Sequence, residues 1–127
     1  MKILILGAGQ VGSTLAKYLC SDDDNDITIV DQKEEMLTPL QRHLDIKTVI
    51  GYGAYPSVLE KAGIKSMDVV IAVMRSDERN MVACRMAHTL YNVKKKIARI
   101  RTTEYLVRPE IFSNDALPID FLITPEN

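Results

Sequence analysis

The chain has 127 residues, 46% of them hydrophobic and 26% charged, with no Trp and a formal net charge of -1 from 16 Lys+Arg against 17 Asp+Glu. Such a composition fits a single soluble globular domain spanning residues 1–127 and leaves no room for a second large one. With no Lys/Arg block longer than Lys94–Lys96 and no apolar run near the roughly 18 residues of a membrane span, neither nucleic-acid binding nor direct membrane insertion is expected.

The first apolar run, Ile3–Leu6, reads as a strand, and Val11, Leu15 and Leu19 then fall on one helical stripe. Ile27–Val30 is a second strand. Lys33–Leu44 carries a helical pattern, but Pro39 removes an amide inside it and is expected to kink or restart the helix. Thr48–Ile50 follows as a strand, Pro56–Ala62 as a short helix closed by Gly63, and Asp68–Met74 as a fourth strand. A long helix is expected from Asp77 to about Tyr91, with Ser76 as its N-cap, Asp77 and Glu78 at its positive end, and Val82, Met86 and Leu90 as its apolar stripe. Ile97–Arg101 and Asp120–Ile123 complete the strands, separated by Glu104–Ser113, which Pro109 interrupts.

Strand starts lie about 20 to 29 residues apart, and the strands are continuously apolar, as expected where both faces of a parallel sheet are covered. The fold class is therefore α/β: a Rossmann-type doubly wound parallel sheet of about six strands in the order 3-2-1-4-5-6, with helices on both faces.

Directly after the first strand comes G-A-G-Q-V-G: Gly7, Ala8, Gly9, Gln10, Val11 and Gly12. The first glycine permits the tight strand-to-helix turn, the second lets backbone approach a pyrophosphate, and the third lets helix pack closely on strand. The helix N-terminus then offers amides and partial positive charge to phosphate. Asp31, followed by Gln32, lies nineteen residues beyond Gly12 at the end of the second strand. There a carboxylate can accept hydrogen bonds from the adenosine-ribose hydroxyls and repel a 2′-phosphate, which favours NAD(H) over NADP(H). No G-x-x-x-x-G-K-[ST] loop is present, so a P-loop cradle is excluded.

Other residues on the same sheet edge have two readings each. Tyr52, between Gly51 and Gly53, either stacks on adenine or decorates a surface turn. Arg75 either neutralises pyrophosphate or is a solvated loop cation. At least one of Arg99 and Arg101 should emerge at the sheet edge, toward a ligand or subunit or toward an internal carboxylate. His43 and His88 read as structural. With no H-x-x-x-H, Cys/His cluster or G-x-S-x-G, neither metal catalysis nor acyl transfer is indicated. Cys20 and Cys84 lack C-x-x-C spacing and read as packed thiols of a reducing compartment.

Taken in order, G-A-G-Q-V-G, Ile29-Val30-Asp31, Gly51-x-Gly53-Ala54, Ser76-Asp77-Glu78-x-Asn80, Ile97-Ala98-Arg99 and Ile123-Thr124-Pro125-Glu126 resemble the landmarks of the TrkA N-terminal domain, the Rossmann part of the RCK or KTN module. The resemblance covers essentially the whole chain. It implies a non-enzymatic cytoplasmic sensor that binds NAD(H), or ATP/ADP, assembles into dimers or larger oligomers, and regulates a membrane potassium-translocating subunit. It also implies cleft positions for Asn80 and Arg99. Tyr52 departs from the family's usual Asp, and Pro39 from its usually uninterrupted helix. In the family the Pro-Glu landmark precedes a further subdomain, so a fragment of a longer regulatory subunit is expected; the alternative is the cofactor-binding half of an NAD-dependent oxidoreductase.

Overall fold

In the computed structural model, residues 1–125 are described; Glu126, the last landmark residue, and Asn127 lie outside the described residues. Six strands form one sheet: β1 Lys2–Leu6, β2 Asp26–Asp31, β3 Lys47–Ile50, β4 Val69–Ala72, β5 Lys95–Arg99 and β6 Phe121–Ile123. Their spatial order is β3-β2-β1-β4-β5-β6 and every neighbouring pair is parallel, as the continuous apolar runs require. Chain order reverses between β1 and β4, with Ile5 opposite Ile29 on one side and Ile71 on the other.

Alternation along the strands divides the core in two. Ile3, Ile5, Ile27, Ile29, Val69 and Ile71 form one cluster, covered by helices α1 (Gln10–Cys20) and α2 (Glu34–His43). Leu4, Leu6, Val70 and Ala72 belong to the other, covered by α3 (Pro56–Lys61), α4 (Asp77–Tyr91) and α5 (Thr103–Leu106). Leu4, Ile5 and Leu6 are wholly buried, and removing each from water contributes about 2 kcal/mol.

Three expectations need correction. First, of the kink or restart expected at Pro39, the restart does not occur: α2 is one helix that continues past it. The ring sits on the helix's exposed side, where water can solvate the Glu35 carbonyl that loses its amide partner. Second, α4 begins and ends where expected and Ser76 caps it by accepting a hydrogen bond from the Arg79 amide at 3.2 Å, but its buried face is different. Asn80, Met81, Ala83, Cys84 and Ala87 face the sheet, while Val82 and Leu90 are 47% and 53% exposed. Small side chains let α4 lie close to the sheet, which turns Val82 and Leu90 outward, while Met86 of the same stripe stays half-buried against the core. Third, β4 stops at Ala72 and β5 at Arg99, short of the expected Met74 and Arg101. The chain leaves the sheet there to build the loops of the cleft described next.

Candidate functional site

All six strands deliver their C-terminal ends to one sheet edge, and at the point of order reversal these ends open a cleft of about 890 Å³. Gly7 makes the turn out of β1 at φ +110°, and a Cβ there would lie 2.9 Å from the Val73 carbonyl oxygen. At Gly12 a Cβ would fall 1.8 Å from the Gly7 carbonyl oxygen, so only glycine lets α1 sit this close to the turn. At Gly9 nothing lies within 4 Å of a Cβ position. That open space belongs to the cleft, which Gly7, Gly9, Gln10 and Val11 line.

Gly9 is also the N-cap of α1, with no side-chain cap and no acidic residue in the first turn. The first-turn amides and the positive end of the helix therefore border the cleft with no acceptor supplied by the helix's own side chains, the arrangement that binds phosphate. Asp31 stands beside them. One of its carboxylate oxygens accepts the Ala8 amide at 2.8 Å and the other accepts the Lys33 amide at 2.8 Å. These two bonds fix the carboxylate at the cleft wall, with lone pairs left for a hydroxyl-bearing ligand.

The opposite wall rises from the loops after β4 and β5. Asn80, fully buried, holds them together: its Oδ1 accepts the Met74 amide at 2.8 Å, and its Nδ2 donates to the Met74 carbonyl at 3.1 Å and the Arg99 carbonyl at 2.8 Å. Asp77, 6% exposed, adds a second tie by accepting the amides of Arg101 and Thr102. Burial pushes its pKa up, but hydrogen bonds from Thr102 and Arg101 and the Arg101 charge outweigh that and leave it below the ordinary 3.8. The Arg101 guanidinium donates to the Arg75 carbonyl, closing the ring of loops.

Lys33, Arg75, Arg79, Arg99 and Arg101 all line this space, and among the described residues none of them forms an ion pair. Burial, and then the like charge of Arg101, holds the Arg99 guanidinium below the ordinary arginine range. The cleft is thus cationic apart from Asp31, and an anionic ligand would relieve the repulsion between its arginines.

Of the expected contact residues, Gly7, Gly9, Gln10, Val11, Asp31, Gln32, Gly51, Tyr52, Gly53, Arg75 and Arg99 come together on the cleft. Ala8, Gly12 and Asn80 do not line it: Ala8 orients Asp31 through its amide, Gly12 admits α1, and Asn80 supports the loops from behind. Sequence reasoning missed Arg79, Lys33 and Thr124. Arg79 occupies the unspecified position of the Ser76–Asn80 landmark, and a cation in the first turn of the helix after the fourth strand was the signal available.

A family model described as the TrkA-N domain matches residues 3–125. The Trk system potassium uptake protein TrkA of Halomonas elongata is 54% identical over 126 residues, covering 99% of this chain and 27% of that protein. Its counterpart in Haemophilus influenzae is 52% identical over 128 residues, covering 100% and 28%. The chain thus spans little more than a quarter of the length of these relatives.

Among solved structures, the TrkA-N domain of the inner membrane protein ybaL from Escherichia coli superposes with a TM-score of 0.81 at 16% identity, over 97% of this chain and 86% of that one. The GsuK channel bound to NAD gives 0.76 at 20%, over 96% and 21%, and GsuK bound to ADP gives 0.75 at 22%, over 97% and 30%. A Veillonella parvula short-chain dehydrogenase/reductase in complex with NADP gives 0.67 at 24%, over 93% and 57%. Each of these likenesses shows the fold alone. The family model and the close relatives show more: the chain belongs to the TrkA-N domain family.

Proposed function

We propose that this domain is the nucleotide-sensing part of a potassium uptake regulator, binding NAD(H), or ATP or ADP, and passing cleft occupancy to a membrane potassium-translocating subunit. The observation that carries the reading is the pairing, in one cleft, of an uncapped α1 N-terminus with the fixed Asp31 carboxylate, one suited to phosphate and the other to ribose hydroxyls. Relatives named as Trk system potassium uptake proteins supply the transport context, and a neighbouring fold solved with NAD and with ADP fits both ligand classes.

In this reading no bond is made or broken, so the domain is not an enzyme. A nucleotide that binds one assembly geometry more tightly than another shifts their populations by its differential affinity. The working unit is a dimer or larger homo-oligomer at the cytoplasmic face of the membrane, held there by its transporter partner. No helix among the described residues is long and apolar enough to cross a membrane.

The test is calorimetric titration with NADH, NAD, ATP and ADP, repeated on Asp31→Asn. Loss of the carboxylate is expected to weaken NADH about tenfold, the scale of a charged hydrogen bond to ribose. Unchanged NADH affinity in that variant would overturn the ribose assignment.

A further inference from the structure

The wall opposite the glycine turn carries a feature that the nucleotide reading does not use. Arg79, exposed in the first turn of α4, lies over the Tyr52 ring with its guanidinium carbon 4.5 Å from the ring centre. Tyr52 reaches it across the point of order reversal, from the loop after β3. That loop is pressed against the sheet: a Cβ on Gly53 would approach Leu6 Cβ to 3.1 Å and Met74 Sδ to 3.2 Å. Tyr55 packs its ring 5.2 Å from that of Tyr52. Tyr52 is therefore a braced platform, and part of its stacking surface is already committed to a cation.

A guanidinium that lays its flat face on an aromatic ring keeps its N–H edge free for hydrogen bonding. Two donors of that edge match two phosphate oxygens at once. Arg79 lines the same cleft as Gly9 and Asp31, and among the described residues it has no carboxylate partner to satisfy that edge.

We infer that Arg79, positioned by Tyr52, is a second phosphate-binding arm that makes the cleft select adenine nucleotides carrying a pyrophosphate over nucleoside monophosphates. A monophosphate can be satisfied wholly by the α1 N-terminus and leaves Arg79 idle. A pyrophosphate offers a further charged group to the facing wall. The inference rests on the nucleotide-binding reading and adds to it the residues that discriminate a pyrophosphate from a monophosphate.

The experiment is calorimetry with ADP, NADH and AMP on the unaltered chain, Arg79→Gln, Arg79→Lys, Tyr52→Phe and Tyr52→Leu, with circular dichroism checking each fold. ADP is expected to bind the unaltered chain more tightly than AMP. Arg79→Gln should weaken ADP and NADH about tenfold or more while changing AMP less than about twofold, and Arg79→Lys should recover part of the loss. Tyr52→Phe, which keeps the ring, should preserve the ADP-to-AMP preference, and Tyr52→Leu should reduce it. If ADP and AMP bind the unaltered chain alike, or if Arg79→Gln weakens both equally, the inference falls while the nucleotide reading stands. If no nucleotide binds the unaltered chain, both fall.

Discussion

Asp77 shows how one buried carboxylate can hold a binding wall in place. Its oxygens take the Arg101 and Thr102 amides, so the loop after β5 depends on its ionised form. Its folded pKa lies below the ordinary 3.8, so its contribution is complete above that value and is lost as pH falls through the folded pKa. Asp77→Asn is expected to lower stability at neutral pH by about 2 kcal/mol, because an amide nitrogen replaces one acceptor facing backbone donors. Urea unfolding from neutral pH down to about pH 3 should also show a shallower acid limb in the variant than in the unaltered chain. At this scale, spacing made the positions of Gly7, Gly9 and Gly12 at one strand-to-helix turn legible. The motif's usual distance to the end of the second strand placed Asp31 on the same cleft, where it meets the Ala8 amide. Asn80 and Arg79 were not legible in their roles. Asn80 joins backbone groups from two strands' ends, and Arg79 meets a tyrosine 27 positions away, so both depend on tertiary pairing.

The elements α2 and α4 show where patterns mislead. Pro39 lies on the exposed side of α2, and the helix continues past it, so the proline acts as a local defect and does not end the helix. Pro39→Ala restores an amide for the Glu35 carbonyl and is expected to raise stability by about 1 kcal/mol or more, measurable as a higher urea midpoint. For α4, the cap and periodicity set the boundaries correctly, but of the expected stripe only Met86 packs against the core. A hydropathy stripe ranks Val82, Met86 and Leu90 above Ala83, Cys84 and Ala87, whereas close helix-to-sheet packing favours the small residues. Val82→Ser and Leu90→Gln should therefore each change stability by no more than about 0.5 kcal/mol. Met81→Ala, on the buried face, should cost about 2 kcal/mol or more in the same denaturation assay.

Across the whole molecule, the near-zero net charge conceals a strong asymmetry. Five cationic side chains and one carboxylate converge on a single cleft, although the chain as a whole carries a formal charge of -1. Composition alone could not reveal this, because the clustering is produced by the parallel sheet, which brings the loops after every strand to one edge. The parallel sheet was legible in the continuous apolar runs at crossover spacing, and its order in the likeness of the two halves and their G-x-G-x-x-G turn to a dinucleotide-binding sheet. The central claim is that this cleft binds a pyrophosphate-bearing adenine nucleotide, and titration calorimetry of the unaltered chain with NADH tests it most directly. A saturable heat, weakened by added salt as electrostatic attraction requires, is the expected result. Absence of binding by NADH, and equally by NAD, ADP and ATP, at millimolar concentration in a chain folded by circular dichroism would contradict it.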